Sequence, residues 1–377
     1  MIARTIKEQI VDRLFESEKI IVLYGARQVG KTTLIKNILK NRSEKILEIN
    51  ADEKRYQDVL SSQDLNQLQR LVSGYELVFI DEAQRIPNIG LTLKIIHDNI
   101  PELKIIATGS SSFELANKIS EPLTGRTWTY TLYPISLLEW KELLNPFEID
   151  QKITEFLTFG MYPEVFSYKN DLDKMDYLKE LINSFLYKDL LDLNQLKNAT
   201  KIYDLLKLLA YQIGSPVSYS ELGRQLGMST DTVISYIDLL EKVFVIFRLS
   251  GFSKNLRKEV TKNKKVFFYD VGVRNAIIEN FSNPAGRPDI GALWENFIIV
   301  ERIKRNMYLR AHRNAYFWRT YTGAELDFVE QGDGKLSGYE IKWQNKKAKV
   351  PKTWLETYQE SSFKIVNIGN YQDFCCR

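Results

Sequence analysis

One stretch of the 377-residue chain constrains its fold more than any other: Ile20-Ile-Val-Leu-Tyr24 followed by Gly25-Ala-Arg-Gln-Val-Gly-Lys-Thr-Thr33. A short apolar run that stops at a glycine reads as a buried strand, and Leu34, Ile35, Ile38 and Leu39 recur at helical spacing just after it. Gly25 and Gly30 let the backbone turn its N–H groups inward around an anion, and the following helix start adds its positive end. This is the pattern of a phosphate-binding loop in its proper strand-to-helix setting. Lys31 is placed to reach β- and γ-phosphates and the Thr32 hydroxyl to ligate Mg²⁺. The expected nucleotide cradle is Gly25, Ala26, Gln28, Val29, Gly30, Lys31, Thr32 and Thr33. Arg27 reads as a solvent-facing or contact residue.

Leu77-Val-Phe-Ile-Asp81-Glu82 supplies the complement. An apolar strand carries Asp81 to its end, where a carboxylate can hold Mg²⁺ through water. Adjacent Glu82 points differently and is the candidate to polarise the water that attacks the γ-phosphate. Loop and carboxylate pair together predict binding and hydrolysis of ATP with Mg²⁺ as cofactor. Further β-type runs at Ile46–Ile49, Lys104–Ala107 and Thr127–Leu132 alternate with helical stretches at Asp64–Val72 and Leu91–Ile100. Alternation of this kind predicts a parallel sheet covered on both faces.

The texture changes at Tyr133-Pro134. Residues 1–135 read as the nucleotide domain, and 136–214, rich in Leu, Phe and Lys at helical spacing, as a helical lid. In 215–282, Ser218-Tyr-Ser-Glu221 and Ser229 open two short helices, Gly227 ends the first, and Val243–Leu249 and Val266–Tyr269 form a strand pair. Helix–turn–helix plus hairpin is the outline of a winged helix. Asn283-Pro-Ala-Gly-Arg-Pro288 reads as a linker, and 283–377 alternates again, with a helix from Gly291 and strands near Ala315, Leu326 and Gly338.

At this level the sequence resembles the AAA-type branch of P-loop ATPases. Over nearly its whole length it is similar to a prokaryotic group of AAA-superfamily ATPases with a C-terminal domain of unknown function. The resemblance rests on Gly25–Thr33, Leu77–Gln84, Ile106–Ser111, Leu123–Pro134 and Trp294–Lys342. It implies that a polar residue at the end of the Lys104–Ala107 strand positions the lytic water, Ser110 being preferred slightly over Thr108. It also implies that Arg126 serves as an arginine finger or sensor, in cis or in trans.

Asp327 and Glu340-Ile-Lys342 fall on successive predicted strands, with Glu340 and Lys342 on one face because strand side chains alternate. Glu295 lies on the helix leading into them. This set resembles the PD-(D/E)xK nuclease core, a restriction-endonuclease-like α/β fold. There, carboxylates hold Mg²⁺ or Mn²⁺ and the lysine helps activate water. The alternatives are the same fold retained for binding alone, or an ion pair across a hairpin. Trp318, Tyr321 and Trp343 read either as core or as base-stacking residues.

Charge bears on the partner. Lys and Arg number 52 and Asp and Glu 48, a small excess, but from Gly251 to Pro351 there are 19 basic against 11 acidic side chains. A basic C-terminal third fits an anionic partner such as DNA. Lys254, Arg257, Lys258, Lys262, Lys264 and Lys265 are its densest run. The second short helix, Ser229–Leu240, contains no Lys or Arg, so backbone affinity in that unit would come from this loop. The paired Cys375 and Cys376 cannot staple the fold, and two histidines cannot build a zinc site with them. No apolar run approaches a membrane span, so a cytoplasmic protein is expected. The expected function is an ATP-hydrolysing switch or motor coupled to a DNA-binding, nuclease-like region, with a homo-oligomer or a protein partner also open. The rival is a nucleotide-regulated assembly factor whose C-terminal domain is non-catalytic.

Overall fold

The computed structural model describes residues 2–110, 123–184, 199–253, 264–345 and 349–377. Among these residues a five-stranded parallel sheet has the order β2-β3-β4-β1-β5. Its strands are β1 (Ile20–Tyr24), β2 (Ile46–Asn50), β3 (Leu77–Asp81), β4 (Lys104–Gly109) and β5 (Thr127–Thr131). β1 is buried on every residue, as a strand must be when helices cover both faces. Its side chains alternate between two cores. Ile21 and Leu23 face Ile10 and Leu14 of α1 (Lys7–Glu16) and Leu34 and Ile38 of α2 (Lys31–Leu39). Ile20 and Val22 face the layer built by α3 (Lys54–Ser61), α4 (Leu65–Val72) and α5 (Ile89–Asn99), through Leu60, Leu68, Leu93 and Ile96.

The middle of the chain is helical: α6 (Leu137–Trp140), α7 (Pro146–Phe159), α8 (Asp171–Ser184) and α9 (Ala199–Tyr211). Reciprocal capping boxes, Ser136 with Glu139 and Asn145 with Glu148, start the first two, and Pro146 suits a first turn whose N–H would be unpaired anyway. Next come β6 (Pro216–Val217), α10 (Tyr219–Leu226), α11 (Thr230–Lys242), β7 (Ile246–Gly251) and β8 (Lys264–Phe268). Ser218 and Ser229 cap the two helices, and Gly227 ends α10 in the left-handed region.

The C-terminal part contributes α12 (Val271–Ile277), α13 (Ile290–Tyr308), β9 (Asn314–Arg319), β10 (Glu325–Gly332), β11 (Lys335–Ile341), α14 (Lys352–Thr357), β12 (Ser362–Val366) and α15 (Tyr371–Cys376). Here one sheet runs across the expected division at 282/283. β9 pairs in parallel with β7, Ser250 opposite Tyr316 and Gly251 opposite Phe317. The hairpin strands and the C-terminal strands therefore form one seven-stranded sheet, β12-β11-β10-β9-β7-β8-β6. A strand edge left open is a row of unsatisfied backbone groups, and β9 covers that of β7 at Ser250 and Gly251. The expected linker is pinned as well. Arg287, itself buried, reaches Asp289 at 2.7 Å, and Arg274 of α12 joins the same carboxylate at 2.6 Å.

Among the described residues no helix is long and apolar enough to cross a membrane.

Candidate functional site

The phosphate loop closes against the end of β5. Gly25 has φ +153°, and a Cβ there would lie 2.2 Å from the Leu132 carbonyl oxygen. Gly30, at φ +97°, turns the chain into α2. Lys31 is buried, and its ammonium donates to the carbonyls of Gly25 and Ala26 at 2.9 Å each. These carbonyls hold the lysine in place inside the loop's own curve. Arg4 braces the loop from outside, donating to the Val29 carbonyl at 2.8 Å, the Tyr133 carbonyl at 2.5 Å and Glu139 Oε1 at 2.8 Å. Ala26 and Val29 turn their side chains into the core and offer only backbone to a ligand.

β4 lies between β1 and β3, which brings three polar ends together. Thr32 Oγ1 donates to the Asp81 carboxylate at 2.8 and 3.0 Å, and the Thr108 hydroxyl donates to Asp81 Oδ1. A hydroxyl and a carboxylate facing each other at the loop are hard oxygen donors, which fit Mg²⁺. Of the two sensor candidates, Thr108 meets Asp81, whereas Ser110 is buried two residues beyond it.

Glu82 follows Asp81 with φ +54°, a left-handed conformation unusual for glutamate, and accepts a hydrogen bond from the Gln84 amide. It shares a cleft of about 570 Å³ with Gln28, Gly30, Lys31, Thr32 and Thr33. The opposite wall is helical: Glu164, Tyr168, and Tyr177, Glu180 and Leu181 of α8. The buried Tyr177 hydroxyl has no hydrogen-bond partner among the described residues. Sequence reasoning did not find this wall, because nothing local marks a helix as facing a loop some 140 residues upstream.

Arg126 lies elsewhere. The Ile20 amide donates to its carbonyl, so Arg126 stands where β1 begins, a strand length of roughly 16 Å from the loop. Its guanidinium is held by Asp98 at 2.8 and 3.0 Å. Hydrogen bonds from Arg126 and His97 in turn pull the Asp98 carboxyl down to about 2. Strand direction thus places Arg126 at the end of β1 and β5 opposite the phosphate loop of its own chain.

The C-terminal set comes together as two lysine-bridged carboxylate pairs. Lys342 Nζ lies 2.6 Å from Glu340 and 3.9 Å from Asp327, and the Ile341 amide donates to Asp327 at 2.7 Å. Lys265 Nζ lies 3.2 Å from Glu295 and 2.6 Å from Glu325. Burial raises the Glu295 carboxyl to about 8 despite Lys265, with Asp327 adding repulsion. Burial also raises Asp327 and Glu340. Lys265 and Glu325 are members that the sequence did not reveal. Lys265, expected as part of a basic DNA-facing loop, is 1% exposed and spent on carboxylates. Lys254, Arg257, Lys258 and Lys262 lie outside the described residues. Among the described residues no three His, Cys, Asp or Glu side chains converge on a metal position. Of the expected set, Asp327 and Glu340 meet through Lys342, and Glu295 pairs with Lys265.

The aromatic candidates separate. Trp318 is buried, Trp343 packs edge-on to Trp294 at 5.1 Å, and Tyr321 is fully exposed. On α11, Val233, Ile237 and Leu240 are buried, and its acidic Asp238 and Glu241 are held by Arg248 of β7.

Residues 17–141 match the family described as AAA domain. Residues 150–283 and 290–373 match two domains of unknown function, DUF8612 and DUF4143. An uncharacterized protein of Mycobacterium tuberculosis is 28% identical over 336 residues, 88% of this chain and 71% of that protein. An uncharacterized protein of Haemophilus influenzae is 26% identical over 398 residues, 99% of this chain and 94% of that protein. The solved structure of the Walker-type ATPase paby2304 of Pyrococcus abyssi is similar with a TM-score of 0.48 and 16% identity, over 74% of this chain and 96% of that one. The AAA-domain match supports an AAA-superfamily ATPase that binds nucleotide and, as such folds typically do, Mg²⁺.

Proposed function

We propose that the chain is a Mg-ATP-driven switch whose helical lid and C-terminal body act on DNA. The observation that carries this reading is the meeting of Thr32 with Asp81, beside Lys31 and Glu82, on a cleft whose far wall is α8. Lys31 leaves its two carbonyls to bind the β- and γ-phosphates, and Thr32 and Asp81 hold Mg²⁺. The metal supplies charge neutralisation at the phosphates. Glu82 orients and polarises the attacking water. Thr108, bonded to Asp81, keeps that carboxylate aimed at the loop. Glu164 and Glu180 on the far wall repel a bound triphosphate, so nucleotide state biases the position of α8. Arg126 would complete a neighbouring subunit's site in a homo-oligomer.

The lysine-bridged carboxylates favour a second reading of the C-terminal body. Lys342 beside Asp327 and Glu340 supports the nuclease-like assignment, whereas Lys265, buried between Glu295 and Glu325, supports a non-catalytic body. Two assays separate these outcomes: ATP turnover with and without DNA, and plasmid nicking with Mg²⁺ or Mn²⁺ for wild type and Asp327→Ala. DNA is expected to raise turnover several-fold, and nicking confined to the wild type identifies a nuclease. Turnover indifferent to DNA, with plasmid intact, assigns the C-terminal body to protein partners.

A further inference from the structure

The C-terminal half of α13 and the ends of β10, β11 and β12 enclose a cleft of about 690 Å³ that shares no lining residue with the two clusters above. Six cationic side chains line it: Arg302, Arg305, Arg313, Lys335, Lys364 and Arg377. Three carboxylates oppose them, and two are already committed. Glu330, 2% exposed, accepts two bonds from Arg302 at 2.8 Å and one from Asn306 at 2.5 Å, with Arg313 at 3.5 Å and the Tyr339 hydroxyl at 3.3 Å. Asp373 is paired with Arg377 at 3.1 Å. Asp333 is exposed on the turn between β10 and β11.

Among the described residues Arg305, like exposed Lys335 and Lys364, has no carboxylate partner at this cleft. It donates to the Asn306 side-chain oxygen at 3.0 Å, and its Nε is buried with no hydrogen-bond acceptor among the described residues. Burial lowers its affinity for its proton and the charge of Arg302 lowers it further, against an opposing pull from Glu330, with a smaller decrease from Arg313. A folded chain does not keep like charges crowded around an unsatisfied donor without cost. An oxyanion removes both problems together, offering acceptors to the guanidinium fork and a counter-charge to its neighbours. The volume suits a nucleotide-sized group.

We propose that this cleft binds phosphate groups, carried either by a free nucleotide or by a nucleic-acid strand. Arg305 is its central donor, and exposed Lys364 and Lys335 attract the anion at the rim. The site stands independently of the ATPase reading, because it can be tested with the phosphate loop disabled.

The experiment uses the full chain carrying Lys31→Ala. Binding of inorganic pyrophosphate is followed by calorimetry, and binding of a fluorescein-labelled 12-nucleotide single strand by anisotropy. Each is repeated after adding Arg305→Gln with Lys364→Gln, and with Lys54→Gln as a distant exposed control. The expected result is binding of at least one probe, weakened tenfold or more by the double change and unaltered by the control. The bound probe should raise the melting temperature of the parent but not of the double variant. Without ligand, the double variant should melt no lower than the parent, because charge crowding is relieved. Should it fail to fold, Lys364→Gln alone, on an exposed position of β12, carries the comparison at a loss of twofold or more. Pyrophosphate binding without oligonucleotide binding identifies a nucleotide site, and the reverse identifies a strand site. Absence of binding by both probes, or equal loss in the Lys54→Gln control, overturns the proposal.

Discussion

Thr32 and Asp81 are 49 positions apart in the chain, and their hydrogen bond depends on a few backbone conformations held around the loop. Gly25 is the least replaceable of these. A Cβ there would meet the Leu132 carbonyl at 2.2 Å and the Val29 side chain at 3.2 Å, at a φ that alanine does not readily adopt. Gly25→Ala is expected to destabilise the chain by more than about 1 kcal/mol and to abolish nucleotide binding. Urea denaturation and a fluorescent-nucleotide titration check the two halves, and a variant that binds normally would contradict the described closure. Glu82 carries a cost of a similar kind. A non-glycine residue in the left-handed region is disfavoured by roughly 1 kcal/mol, and such strain is found where a side chain must be aimed.

Among the elements, the junction of α12 and α13 shows how a stretch rich in Pro and Gly is held. Burial alone would raise the Asp289 carboxyl, but hydrogen bonds from Arg287 and Arg274 outweigh it and hold the group at about 2. A carboxylate depressed on folding adds stability that is fully present above its ordinary range near 4 and is lost as pH falls through about 2. Asp289→Asn should therefore cost about 2 kcal/mol at neutral pH. The gap in melting temperature between wild type and variant should close between pH 4 and pH 2. A gap that stays constant across that range would contradict the assignment.

This same region marks where the sequence stopped being legible. The strands β1, β3 and β4 and helices α2, α10 and α11 could be read because apolar spacing and caps are local. Pairing of β7 with β9 could not, since it joins segments more than sixty residues apart and leaves no periodic trace. Lys265 looked like part of a basic loop because sequence shows charge and not direction. Its place in β8 turns it inward, onto Glu295 and Glu325. Arg126 was legible as an arginine before a strand, but the edge of the sheet it occupies follows from strand order. Asp81, Glu82 and Lys31 were legible because their motifs combine residue type, spacing and strand-end position.

At the scale of the molecule, buried polar contacts run from the phosphate loop to the C-terminal body. Arg4 joins Val29 to Glu139, which caps α6, and the Leu137 amide at the start of α6 donates to Glu301 of α13 at 2.5 Å. Glu301 in turn pairs with Lys304 at 2.7 Å, both about 1% exposed, and Lys304 reaches the Ile135 carbonyl at 3.1 Å. Such buried pairs are poor sources of net stability, because desolvation offsets their attraction, but they fix geometry closely. They set α13 against the nucleotide domain, and α13 also carries Glu295 and Arg305. The apolar core is shared too, with Ile21 and Leu23 of β1 in one cluster with Leu178, Leu205 and Ile237.

The central claim is that this chain turns over ATP through Glu82 at the loop built by Lys31 and Thr32. The measurement is phosphate release at saturating ATP with Mg²⁺, with nucleotide binding recorded on the same samples, for wild type, Lys31→Ala and Glu82→Gln. The account predicts that wild type binds and releases phosphate, that Lys31→Ala loses binding, and that Glu82→Gln binds ATP while turnover falls by roughly 10²-fold or more. Wild-type turnover in Glu82→Gln would contradict the role given to Glu82, and ATP hydrolysis surviving in Lys31→Ala would contradict the site itself.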